Sequence, residues 1–238
     1  MDEPQGVERE ALSRRRSLVR LGGLAATVLG AGGLARAAES DAAGEGPAGV
    51  ASGAVSCVLT PEQTEGPYYI DGEKLRGNIT EGKAGTPLTL RLKVVNASTC
   101  KPIRGAVVDI WHADAVGVYS GFGAGASNRT FMRGIQRTNA QGLAVFRTVY
   151  PGWYQGRTVH IHVKVHLGGD VVHTGQIYFP DAVTDAAYRR APYTSRPGRT
   201  TRNSADAIFR NGGSKSLLSL RKATPGYVAS ITMGVVRR

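Results

Sequence analysis

Cysteine is nearly missing: Cys57 and Cys100 are the only two in 238 residues. No cysteine cluster is available for a structural zinc site. In an oxidising compartment the two could pair, for up to about 4 kcal/mol on a chain-entropy estimate, or they could remain buried thiols. Long apolar runs are missing as well. The best, LGGLAATVLGAGGLA (Leu21 to Ala35), has 15 residues between Arg20 and Arg36, and five of them are glycine. A membrane span needs about 20 apolar residues, so stable insertion of the mature chain is not expected.

Acidic residues are scarce, 18 against 30 Lys and Arg, for a formal net charge of +12. Such a surplus attracts polyanions. The cations are scattered along the chain, however (Arg91, Lys93, Arg104, Arg129, Arg137, Arg189, Arg190, Arg199, Arg202), and no nucleic-acid motif accompanies them. Nucleic acid is therefore not an expected partner. Attraction for anionic aromatic substrates or humic polymers is compatible with the charge but is not indicated by any motif.

What the first residues do contain is Ser13-Arg14-Arg15-Arg16-Ser17-Leu18-Val19, the short Gly-rich apolar run, and Ala35-Arg36-Ala37 as an A-x-A cleavage pattern. A charged start, a weakly apolar core and small exit residues describe an export signal, here resembling a bacterial twin-arginine leader. Residues 1–37 are read as that leader, with an uncleaved anchor as the alternative, and the mature chain is placed in the periplasm or outside the cell. Residues 38–56, rich in Gly, Ala and Ser, read as a flexible linker. Residues 57–238 are enough for a single well-buried core.

Helix signals are few in that domain. SADAIFRNGG (Ser204 to Gly213) suits one short helix with Ser204 as N-cap, and TDAAYRRAPY (Thr184 to Tyr193) suits another turn or two. Alternating segments dominate instead: Leu88 to Val94, GAVVDIWHAD, GLAVFRTVY, RTVHIHVKVHL, VVHTGQIYF and GYVASITMGVV, separated by Gly, Pro, Asn and Asp turns. They predict a mainly β protein, an antiparallel β-sandwich with long loops and one or two short helices. YSGFGAGASNRTFMRG, Tyr119 to Gly134, is too glycine-rich for a strand and reads as a functional loop.

In RTVHIHVKVHL, Val159, Ile161, Val163, Val165 and Leu167 share one parity, while His160, His162, Lys164 and His166 share the other. Residues two apart on a strand point the same way, so His160 and His162 can converge on one target. A bare His-x-His is also compatible with a solvated face, and Lys164 and His166, farther along, are expected to be solvated. No carboxylate follows the pair closely: Asp170 is the first acidic residue after it, and it falls in a turn. That counts against a two-histidine, one-carboxylate iron site and against a cupin. Tyrosine is what the neighbourhood supplies, in Tyr119, Tyr150 and Tyr154. A phenol ionises at neutral pH only beside a strongly positive group, so two phenolates with two imidazoles would select Fe(III). Each tyrosine could equally be a buried core phenol.

LTPEQTEGPYY (from Leu59), GAVVDIWHADAVGVYS (from Gly105), FMRGIQRTNAQGLAVFRTVYPGWYQGRTVHIHVKV (from Phe131) and TGQIYFP (from Thr174) together resemble the intradiol ring-cleavage dioxygenases, the family of catechol and protocatechuate dioxygenases. The resemblance runs from Cys57 to about Tyr193 and is loose beyond. It implies a non-haem Fe(III) enzyme that opens a catechol-type ring between the two hydroxyl-bearing carbons with O2, giving a muconate-type diacid. By matching position, Tyr119, Tyr154, His160 and His162 are the implied metal ligands, with Tyr154 the one that leaves as substrate binds and acts as a base. Arg157 falls on the arginine beside the substrate, Gln176 on the pocket glutamine, and Gly66, Pro67 and Tyr68 on the segment bordering the pocket. The chain lacks the long helical N-terminal dimerisation region of the catechol enzymes, and its Tyr154 to His160 gap is short. Substrate choice and homo-oligomer formation therefore stay open. Two rivals are a secreted non-catalytic transthyretin-like binding module and a copper or zinc protein using His160, His162 and His166.

Overall fold

The computed structural model describes residues 57–236 apart from Val58, Glu73 and Ala124, so the expected leader and linker lie outside the described residues. Eight strands are present among them: β1 Pro87–Asn96, β2 Val107–Trp111, β3 Arg133–Arg137, β4 Leu143–Val149, β5 His160–Leu167, β6 Asp170–Tyr178, β7 Ser219–Lys222 and β8 Tyr227–Val235. They form two four-stranded sheets, ordered β4-β1-β8-β7 and β3-β2-β5-β6. The result is the expected β-sandwich. All strand pairs are antiparallel except β1 with β8, which run parallel from Leu88 beside Tyr227 to Asn96 beside Val235.

Alternation builds the core. Leu88, Leu90, Leu92 and Val94 of β1 face inward with Phe146 of β4 and Met233 of β8, against Val108 and Ile110 of β2 and Ile161, Val163 and Val165 of β5. β3 and β7 carried no clear alternation in the sequence: RGIQR and SLRK are short, and each finds its place only by pairing with a longer neighbour. Cys57 and Cys100 form a disulfide that ties the start of the domain to the turn after β1.

The helices differ in detail from expectation. One, α1, spans Asp181–Ala187, three residues earlier than TDAAYRRAPY suggested, and ends before Ala191-Pro192, where the residue preceding proline disfavours helix. The other, α2, is a single turn, Ala207–Arg210, and its N-cap is Asp206 rather than Ser204. Asp206 Oδ1 accepts from the backbone N–H groups of Ile208 and Phe209 at 2.8 and 2.9 Å. Among the described residues no helix is long and apolar enough to cross a membrane.

The histidine strand is buried on both faces, not one. His160 and His162 are only 3% and 1% exposed, because the segment from Gln63 to Tyr69, the loop after β2 and the turn before α2 cover the outer face of their sheet. Lys164, expected to be solvated, is buried as well. It pairs with Glu65, and its ammonium lies 3.6 Å from the centre of the Tyr69 ring.

Candidate metal centre

β5 places His160 and His162 side by side at its entry, with Nε2 to Nε2 at 3.1 Å. His160 Nδ1 lies 2.6 Å from the Thr158 carbonyl. A carbonyl can only accept, so Nδ1 carries the proton and Nε2 presents a lone pair. Trp111 stacks on His162, centroids 4.9 Å apart and planes 7° from parallel. Gly66 lies against the other side: a Cβ there would come within 3.2 Å of His162 Cε1, on a backbone with φ of +73°.

The tyrosines arrive from two loops that are joined to each other. Gly152 N–H donates to the Asp114 carbonyl at 2.9 Å, and any side chain at Gly152 would collide with Ala115. This contact holds the Pro151-Gly152 turn against the loop after β2 and brings Tyr154 beside Tyr119, ring centres 5.6 Å apart. Tyr154 Oη is 3.2 Å from His160 Nε2 and can donate to it. Tyr119 is 5% exposed, and its buried hydroxyl has the Tyr154 hydroxyl as a neighbour but no hydrogen bond of good geometry. Tyr68 stacks on Tyr119 at 4.3 Å. Tyr150 goes elsewhere, buried in the sandwich core with its hydroxyl 2.8 Å from Thr184 Oγ1.

Burial dominates the electrostatics. It pushes the Tyr119 phenol well above its ordinary range, with the neighbouring Tyr154 adding to the effect, and raises Tyr154 against the opposing pull of Arg157. Burial, then the Arg157 charge, takes His160 down to about 3; burial, then His160, takes His162 well below its ordinary value. All four groups are thus neutral as they stand. Two facing imidazole nitrogens and two adjacent buried phenols, one of them without a well-formed hydrogen bond, are a donor set that a tightly held cation would complete, and a ferric ion is charged enough to ionise the phenols. The residues fit that ion. Among the described residues no three His, Cys, Asp or Glu side chains converge, and His166 stands at the far end of β5 from the pair.

Arg157 is fixed from two sides. Its Nε donates to Asp206 Oδ2 at 2.8 Å and its Nη2 to Gln176 Oε1 at 2.5 Å. Gln176 Nε2 donates in turn to the Thr64 carbonyl at 3.0 Å, and Tyr178 Oη to Gln63 Oε1 at 2.8 Å. Gly66 and Tyr68 therefore border the His and Tyr cluster, Pro67 is exposed beside them, and Arg157 and Gln176 flank it. The sequence had not pointed to Asp206, Tyr178 or the Trp111 stack. For Asp206 the available signal was an Asp directly ahead of a short apolar helix.

A family model described as Dioxygenase matches residues 64–187. A solved structure described as an intradiol ring-cleavage dioxygenase from Tetranychus urticae is 36% identical, with a TM-score of 0.73 over 76% of this chain and 95% of that one. Among curated proteins, catechol 1,2-dioxygenase 1 of Acinetobacter lwoffii is 35% identical over 40% of this chain and 32% of its own length. A chlorocatechol 1,2-dioxygenase of Pseudomonas sp. (strain P51) is 29% identical over 48% and 53%. The fold and the matches define a dioxygenase on a β-sandwich. The chain belongs to the intradiol dioxygenase family, and it spans about a third to a half of the length of these curated relatives.

Proposed function

We propose that this protein is a ferric, ring-cleaving dioxygenase whose substrate is a catechol-type ring and O2, and whose product is a muconate-type diacid carrying both oxygen atoms. The observation that supports this most is the convergence of His160 and His162 Nε2 with the Tyr119 and Tyr154 phenols in a buried, carboxylate-free cluster. Those four residues would hold the iron. When bound, Fe(III) supplies the positive charge that ionises the phenols and draws electron density from the substrate ring.

The protein's own groups then divide the work. Tyr154 is the less buried of the two phenols, so it is the one placed to swing away and take a proton from a substrate hydroxyl at its oxygen. Tyr119, buried and stacked under Tyr68, stays. The charge of Arg157 acts on Tyr119, Tyr154, His160 and His162 alike, and it would stabilise negative charge gathering on the ring as O2 attacks. Gln176 and Asp206 hold the guanidinium in place, and Tyr68 walls the pocket. Export by a twin-arginine leader in residues 1–37, to the periplasm or beyond, is part of the same proposal and rests on the sequence.

The test is O2 uptake by iron-loaded protein across a panel of catechols. One O2 per ring opened, with both atoms of labelled O2 recovered in a diacid, is the expected result. Yellow semialdehyde products would overturn the intradiol assignment. Tight iron binding with no ring cleavage on any catechol would favour the binding module.

A further inference from the structure

Five cations that are scattered in the sequence are gathered by the fold on one face. None of the four strands of the β4-β1-β8-β7 sheet contains Asp or Glu. On the face of that sheet turned away from the core, Arg91 and Lys93 of β1, Arg147 of β4 and Arg221 of β7 are exposed, and Lys215 stands beside them in the turn before β7. None of the five forms an ion pair among the described residues. This face also holds a depression of about 460 Å3 rimmed by Arg91, Lys93 and Lys215.

We propose that this face binds an acidic polysaccharide, a chain whose sugar units carry carboxylates. Charge complementarity supplies the attraction, with uncommitted cations and no carboxylate to repel the ligand. The rest of the depression chooses among polyanions. Ser219, Ser230 and Thr232 line it, offering hydroxyls to a hydroxyl-rich ligand, while the half-buried Leu143 and Leu217 give it an apolar surface on which the C–H face of a sugar ring can lie. No aromatic ring lines it, so bases have nothing to stack on, which disfavours single-stranded nucleic acid. The apolar groups are half-buried and flanked by cations and hydroxyls, which disfavours insertion among lipids. Because the His and Tyr cluster lies on the opposite sheet, a protein held this way keeps its catalytic face free.

The test measures binding of the full chain to polygalacturonate, to phosphatidylglycerol vesicles and to duplex DNA at matched charge concentration. It uses the wild type, a variant with Arg91→Glu, Lys93→Glu and Lys215→Glu, and a control of equal net charge with Arg104→Glu, Arg137→Glu and Arg189→Glu. Polygalacturonate is expected to bind most tightly, the sheet variant to weaken by at least about tenfold, and the control by less than about threefold, since exposed charges beyond a Debye length are screened. Equal weakening in both variants would reduce the effect to net charge and overturn the proposal, as would tighter binding of vesicles or DNA by the wild type. Circular dichroism of each variant shows that the exposed substitutions leave the fold intact.

Discussion

Asp206 Oδ2 accepts two hydrogen bonds at 2.8 Å, one from Arg157 Nε and one from the backbone N–H of Thr158, so one carboxylate fixes both the guanidinium and the entry of the histidine strand. It is 1% exposed, and its other oxygen caps α2. Burial pulls its carboxyl up, but the backbone donors of Phe209 and Thr158, then the hydrogen bond and charge of Arg157, together hold it below the usual range.

Asp206→Asn keeps an oxygen for the cap and removes the charge that orients Arg157. The expected result is a fall in kcat of about tenfold to a hundredfold with little change in KM, the pattern of an interaction made in the transition state. The melting temperature should fall as well, because the amide nitrogen that replaces Oδ2 faces two donors, Arg157 Nε and the Thr158 N–H, so the fall in kcat is measured at a temperature where both proteins are folded. A large thermal effect with unchanged kcat would make Asp206 a cap and nothing more.

How much of this was visible beforehand depends on the range of the interaction. Alternation gave the long strands, since Leu88 to Val94 and the β5 parity are local patterns, and it put His160 and His162 on one face. It could not show that the outer face would be covered, because that depends on the segment from Gln63 to Tyr69 folding across it, and so Lys164 was misread as solvated. Asp206 meets Arg157 across 49 residues, a distance no periodicity spans. The parallel β1-β8 pair joins the two ends of the domain and was equally out of reach.

Tyr150 and Tyr154 should separate cleanly. Tyr150→Phe removes one buried hydrogen bond to Thr184, costing about 1 kcal/mol, and should leave the visible colour of the iron-loaded protein intact. Tyr154→Phe should shift that band and slow substrate binding, and Tyr119→Phe should bleach it further. A bleached Tyr150→Phe protein with an unchanged Tyr154→Phe spectrum would exchange the two roles.

Gly66 is held at φ of +73° against His162, where a methyl group would sit 3.2 Å from Cε1. Gly66→Ala should cost about 1 kcal/mol in backbone strain and displace the imidazole. The measurable consequence is weaker iron retention during dialysis against a chelator, by more than the small loss of thermal stability accounts for. Iron retention equal to wild type would place the segment clear of the histidine.

Replacing Arg14 and Arg15 by lysine addresses the leader in residues 1–37. Precursor should accumulate inside the cell, coloured and active if iron is inserted before export. Undiminished appearance of the mature form outside the cytoplasm would remove the twin-arginine reading while leaving the enzyme assignment untouched.

His112 makes an acid limit to stability. It is fully buried, with Nδ1 2.8 Å from the Ala113 carbonyl and Nε2 2.8 Å from Thr148 Oγ1, and burial pushes it down to about 4. Its folded pKa therefore lies below the unfolded value of about 6.5, so the unfolded chain takes up the proton first. Stability is complete above that unfolded value and declines as the pH falls from about 6.5 toward 4, by up to about 3 kcal/mol from this residue. His173, also buried and lowered to about 4, acts with the same sign, so the test is a difference. The melting temperature of the wild type should fall on going from pH 7 to pH 5, and that of His112→Gln, lower at the start, should fall less. Parallel curves for the two proteins would mean that His112 takes up its proton without opposing the fold.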